Sequence, residues 1–138
     1  MIVVIDTNVL ITSIPKRSKY RPIFDGILKD KFKWAVSESI LQEYLEIIGQ
    51  KSTKPNTADN FAELILQLKS LHKIEVHFKW NLIQVDPDDN KFVDCAVAAK
   101  AKFIVTNDKH FNVLKKIEFP SIEILNADEF LEEVLKLV

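Results

Sequence analysis

Ile2, Val3, Val4 and Ile5 form an uninterrupted run of β-branched residues that stops abruptly at Asp6. A strand with no polar side must be covered on both faces, which is the condition of a parallel sheet between layers of helix. Lys33–Val36, Phe103–Thr106 and Ile122–Leu125 repeat this pattern, and Ile74–Val76 and Leu82–Val85 are weaker strand candidates. Helical segments fall between them. Asn8–Ser13 is expected as a short helix ended by Pro15, and Pro22 suits the start of a second helix running to about Lys31. Ser39 and Gln42 have capping-box spacing and predict a helix that Gly49 closes. Thr57 is expected to cap a helix carrying Phe61, Leu64, Ile65, Leu68 and Leu71 at helical spacing. Asp89 or Asn90 can cap a helix over Lys91–Ala101, with shorter helices at Asp108–Lys115 and Asp128–Leu137. Strand–helix alternation predicts an α/β fold, a three-layer α/β/α sandwich with a central, mainly parallel sheet. Right-handed crossovers place the carboxyl ends of the strands along one edge, where ligand sites of open α/β sheets lie.

Size and composition exclude several classes. The 138 residues suit one domain spanning residues 1–138. With 47% hydrophobic and 28% charged residues, the chain is too apolar for disorder. A single Cys excludes an internal disulfide framework and a Cys-based zinc cage, and it suits a reducing, cytoplasmic setting. No apolar run is long enough for a membrane span. The two glycines, Gly26 and Gly49, form neither a GxGxxG nor a Walker A pattern.

The net charge of −1 conceals two opposed segments. Lys16, Arg17, Lys19, Arg21, Lys29, Lys31 and Lys33 stand against Asp25 and Asp30, whereas the chain from Glu118 onward holds six acids and only Lys136. The basic segment is either a solvated helix face or a surface for phosphate backbones, with Lys16, Arg17, Lys19 and Arg21 the candidate RNA-binding cations. Tyr20, Trp34 and Trp80 are candidate base-stacking rings whose ordinary role would be packing.

Four carboxylates occupy costly positions. Asp6 and Asp108 follow core strands, Glu43 lies beside Ile40 and Ile47 on a helix, and Asp94 has Val97 and Ala98 three and four residues on. Each has a bland reading. Asp6 and Asp108 could cap helices, Glu43 could flank an apolar face, and Asp94 could complement a helix dipole. Asp86, Asp88 and Asp89 could form a solvated turn with Pro87, and Asp89 could equally reach the site. Together, however, acids gathered in a half-buried pocket repel one another, and a hard divalent cation relieves that cost. Oxygen ligands of this kind select Mg²⁺ or Mn²⁺ over zinc, since His72, His77 and His110 lack paired metal-site spacing. A cation so held supports hydrolysis of phosphate esters.

Ile5-Asp6-Thr7-Asn8-Val9-Leu10, Asp86-Pro87-Asp88-Asp89-Asn90-Lys91-Phe92-Val93-Asp94-Cys95-Ala96 and Ile104-Val105-Thr106-Asn107-Asp108 resemble, in order and spacing, the motifs of PIN-domain ribonucleases. The likeness extends over nearly the whole chain and is nearest to small prokaryotic, VapC-like toxin components of toxin–antitoxin pairs. The resemblance implies a PIN-like fold and metal-dependent endonuclease action on RNA. It places the catalytic and metal-holding acids on Asp6, Glu43, Asp94 and Asp108, with Asp89 secondary and Thr7, Asn8 and Thr106 as orienting residues. It further implies Mg²⁺ or Mn²⁺ as cofactor, and as partners an RNA substrate, a small antitoxin protein and a second copy of the chain. Asn107 stands where relatives often carry Gly, in a turn that Asn can enter left-handed. Two other readings stay open. One is a catalytically weak module that binds RNA or protein. The other is an aspartyl-phosphate phosphatase of the haloacid-dehalogenase type, which needs a second acid where this chain has Asn8.

Overall fold

The computed structural model describes residues 1–137, apart from the side chains of residues 133, 134 and 137. Five strands form one sheet: β1 (Ile2–Ile5), β2 (Lys33–Val36), β3 (Leu71–Lys73), β4 (Phe103–Val105) and β5 (Glu123–Leu125). Their order is β3-β2-β1-β4-β5, and every pairing is parallel. Val3, Val4 and Ile5 are completely buried, as are Ile104 and Val105, so helices cover both faces as the unbroken apolar runs require. The helices are α1 (Thr7–Ser13), α2 (Arg21–Leu28), α3 (Glu38–Lys51), α4 (Thr57–Leu66), α5 (Asn90–Ala99) and α6 (Ala127–Glu129). Among the described residues no helix is long and apolar enough to cross a membrane.

Several local expectations shift. The cap of α3 is Ser37, whose hydroxyl accepts the Ile40 N–H at 3.4 Å, because β2 runs directly into the helix two residues before Ser39. Gly49 does not stop α3, which continues to Lys51. Residue Asn56, in the left-handed region at φ 65°, precedes α4, and Thr57 caps nothing within it. The apolar spacing of Phe61–Leu71 outlasts the helix: Leu71 starts β3, where parallel pairing with Trp34 outweighs helical periodicity. The third strand therefore lies before Ile74–Val76, and Leu82–Val85 is not a strand. That segment is held instead by Asn90, whose side chain accepts the Ile83 N–H at 2.9 Å and donates to the Ile83 carbonyl at 2.8 Å. Asp108 leads into tight 3₁₀ turns over Lys109–Lys116, and α6 continues past a capping box of Asn126 and Glu129 as wider, then tighter, turns to Leu137.

The end of α5 gives a stability prediction. Lys100 is exposed and left-handed at φ 55°, with its N–H bonded to Val97 O and the Ala101 N–H to Ala96 O. This is the double hydrogen bond that glycine ordinarily closes without Cβ strain. Lys100→Gly is expected to raise stability by about 1 kcal/mol, read by urea denaturation. A loss of stability would show that Lys100 has a compensating role.

Candidate functional site

β1 and β4 lie side by side with Ile5 level with Val105, and the chain order reverses between them. Such a reversal opens a crevice at the carboxyl ends of the strands. Asp6 enters it directly from β1, its N–H donating to Val105 O at 3.0 Å. Thr106 enters from β4. Both are buried, and one hydroxyl joins the two strands' acids: Thr106 Oγ1 donates to Asp6 Oδ2 at 2.7 Å and accepts the Asp108 N–H at 3.0 Å. Asp108 also accepts the His110 N–H at 2.9 Å, so it caps the following turns while facing the crevice.

Glu43 arrives from α3. Thr7 Oγ1 donates to its Oε2, and Lys91 Nζ stands 2.7 Å from its Oε1 and 2.9 Å from Asp88 Oδ1. Glu43 is thus already matched to a half-buried cation. Asp89, just before α5, is not. Its Oδ2 is buried without a hydrogen-bond partner, and the His110 imidazole brings Nδ1 to 3.5 Å outside hydrogen-bond alignment. Burial, and then the charges of Asp86, Asp108 and Asp6, push the Asp89 carboxyl up to about 7. Burial likewise raises Asp6, with Asp108 and Glu43 adding to the rise and the Thr106 hydrogen bond opposing it. Asp6, Asp89, Asp108 and, more weakly, Glu43 therefore share one anionic field.

Asp94 is not brought into this group. Its Oδ1 accepts the Trp80 N–H at 3.0 Å, and the charged neighbour that acts on it is Lys79. Asp89 closes the turn before α5 whereas Asp94 lies within α5, five positions on, and accepts the Trp80 N–H there. Apolar neighbours at i+3 and i+4 mark Asp94 as inward-facing, but not towards which hollow. Asp89, to which the sequence reading assigns a secondary role, is the acid on which the charges of Asp108 and Asp6 act. Sequence reasoning also missed Asp86, Lys91 and His110. Asp86, Asp89 and His110 bring one donor atom each within 4.8 Å of one another. The signal available for them was the density of acids in Asp86–Asp89, and His110 two residues after Asp108.

The remaining expected residues divide clearly. Thr7 and Thr106 orient acids, whereas Asn8 is exposed. Lys16 and Arg17 are exposed. Lys19 pairs with Asp128 at 2.7 Å, and Arg21 is held by Asp25 at 2.8 Å and by the Ile14 carbonyl. Those two cations join the basic and acidic segments of the chain or brace α2. Asn107 is not left-handed; its side chain accepts the Ala127 N–H at 3.0 Å and ties the β4 loop to α6. Trp34 is fully buried beside Tyr44 and offers no stacking face.

Carboxylate oxygens with one imidazole, mutual repulsion and an unpartnered buried oxygen fit a hard divalent cation. Without one, Asp89 makes folding pH-dependent. Its folded-state pKa is raised, so the folded chain holds a proton that the unfolded chain has lost, and stability falls as pH rises from about 4 to about 7. Asp89→Asn is expected to stabilise the metal-free chain at pH 8 and to leave it unchanged at pH 4, checked by thermal melts in EDTA.

Fold and site together define an all-parallel α/β protein with an acidic crevice at the switch point of its sheet. The chain belongs to the PIN-domain family: residues 2–110 match the family model described as PIN domain. It is 31% identical over 149 residues to an uncharacterised protein of Methanocaldococcus jannaschii, covering 99% of this chain and 93% of that protein. Its backbone is similar to a chain of VapBC2 from Rickettsia felis, solved bound to a DNA fragment from their promoter. That match has a TM-score of 0.63 and 22% identity, and covers 91% of this chain and 98% of the other. It is also similar to a chain of VapBC-1 from nontypeable Haemophilus influenzae, with a TM-score of 0.64, 15% identity and coverage of 93% and 99%. At these identities the structural likeness is one of fold.

Proposed function

We propose that this protein, read as a single domain over residues 1–138, is a metal-dependent endoribonuclease and the toxin component of a toxin–antitoxin pair. The observation that carries the reading is the pair of Asp6 and Asp108 joined by Thr106 Oγ1, with the charges of both acting on Asp89, whose Oδ2 is unpartnered. Asp6, Asp89 and Asp108 would hold one Mg²⁺ or Mn²⁺. A divalent ion there supplies charge to polarise a phosphodiester and lowers the pKa of a water. The Thr106 hydroxyl fixes the orientation of Asp6 and the backbone position of Asp108, so the oxygens are set before substrate arrives. Thr7 and Lys91 hold Glu43 in place at the rim. Asp94 positions the Trp80 segment and does not hold the ion.

The toxin reading rests on membership of the PIN-domain family and on the shared fold with chains of VapBC structures. It carries with it a small antitoxin protein as partner, a second copy of the chain in the assembly and a cytoplasmic setting. The test of the chemistry is cleavage of single-stranded RNA by the purified chain. Fragments should form with Mn²⁺ or Mg²⁺, disappear with EDTA and return when the ion is restored. Cleavage indifferent to EDTA, or none with either ion, would overturn the proposal.

A further inference from the structure

Three aromatic rings, Phe78, Trp80 and Phe119, stand together on the surface. Phe78 and Trp80 meet edge to face at 4.7 Å, and Trp80 meets Phe119 in the same manner at 5.8 Å. Phe78 is 63% exposed and Phe119 81%, unusual values for large rings with a core available. Their neighbours are ionic: Lys79 lies between Phe78 and Trp80 in the chain, is exposed, and makes no salt bridge among the described residues. The patch is tied to the acidic crevice. Trp80 N–H is held by Asp94, and a hollow of about 410 Å³ is lined by Lys79, Asp94, Asp88 and Lys91, the last of which contacts Glu43.

We propose that Phe78, Trp80 and Phe119 are a stacking platform for bases of single-stranded RNA, with Lys79 meeting a phosphate on the path to the crevice. This rests on the nuclease reading and extends it to substrate recognition. Stacking on exposed rings interleaved with a cation is how single strands are held without sequence reading. The Lys79 ammonium makes no salt bridge among the described residues, so a phosphate can draw close to it beside the rings, which favours RNA over a purely apolar partner face. The platform also gives Asp94 a role. Its inward carboxylate fixes the backbone on which the rings are mounted.

The experiment is binding of a fluorescein-labelled 12-nucleotide single-stranded RNA to the full chain in EDTA, read by anisotropy and by tryptophan emission. Trp34 is fully buried, so quenching reports Trp80. Phe78→Ala and Phe119→Ala, at exposed positions, are each expected to weaken binding about tenfold with no change in melting temperature or in salt dependence. Lys79→Ala should lower the slope of log Kd against log salt by about 0.7. Affinities of both phenylalanine variants within twofold of wild type, with no quenching, would overturn the platform. So would a dimer, seen by sedimentation, that Phe119→Ala dissolves while RNA binding is untouched. If wild type cleaves RNA and the variants bind normally, only the platform falls; if wild type neither binds nor cleaves RNA, the nuclease reading falls with it.

Discussion

Asp6→Asn is expected to lower RNA cleavage by roughly 10²–10³-fold while leaving the fold at least as stable as wild type in the absence of metal. The two effects have one origin. Asp6 is buried at the end of β1, where burial and the charges of Asp108 and Glu43 act against its ionised form. That carboxylate is therefore a cost to folding, relieved when a cation binds. Asn keeps an oxygen for the Thr106 hydroxyl but carries no charge. A metal-holding group contributes several kcal/mol to the transition state, each 1.36 kcal/mol being a factor of ten. Stability should diverge from wild type as pH rises above the ordinary carboxylate range, since only the wild type then keeps a proton in the folded state that it loses on unfolding. Cleavage assays with Mn²⁺ and urea denaturation in EDTA read the two halves. A variant that cleaves normally would remove Asp6 from the mechanism; one that loses activity because it unfolds would make Asp6 a structural residue.

The second large effect lies in a residue that touches no substrate. Asn90→Ala should cost about 2–4 kcal/mol of folding stability. Asn90 is buried, and its amide satisfies both the N–H and the carbonyl of buried Ile83. Alanine leaves two backbone groups without partners in the interior, each worth about 1–3 kcal/mol. Asn90→Asp keeps the acceptor for the Ile83 N–H and has a donor for the Ile83 carbonyl only as the neutral acid, so its loss should be smallest at low pH and grow as the carboxyl ionises. Because the clamp also anchors the chain just ahead of Asp86–Asp89, cleavage per folded molecule should fall too. A loss below about 0.5 kcal/mol in Asn90→Ala would show that water can replace the clamp.

The class of fold was legible from a few residues. Runs such as Ile2–Ile5 and Phe103–Thr106 have no polar face, so a covered parallel sheet was the only arrangement that buried them. The end of the first run also exposed Asp6 as a strand-end acid, and the order of motifs resembled PIN-domain proteins before any geometry was known. Pairing partners were not local. Leu71 continues the helical spacing of Phe61–Ile65, and only the neighbouring β2 makes it a strand residue. Likewise, no period in Leu82–Val85 reveals that a side chain seven residues away replaces the sheet as its hydrogen-bond partner.

Sequence alone determined that this chain is a helix-covered parallel sheet whose strand ends carry carboxylates, because apolar periodicity and charge are written residue by residue. Tertiary structure alone decided which carboxylates meet. The charges of Asp6 and Asp108 act on Asp89 while Asp94 accepts the Trp80 N–H, since direction around a helix depends on where that helix is docked. The same docking decided that Glu43 is matched by Lys91 and that Asp89 is left unmatched, a distinction of a few ångströms that spacing along the chain does not encode.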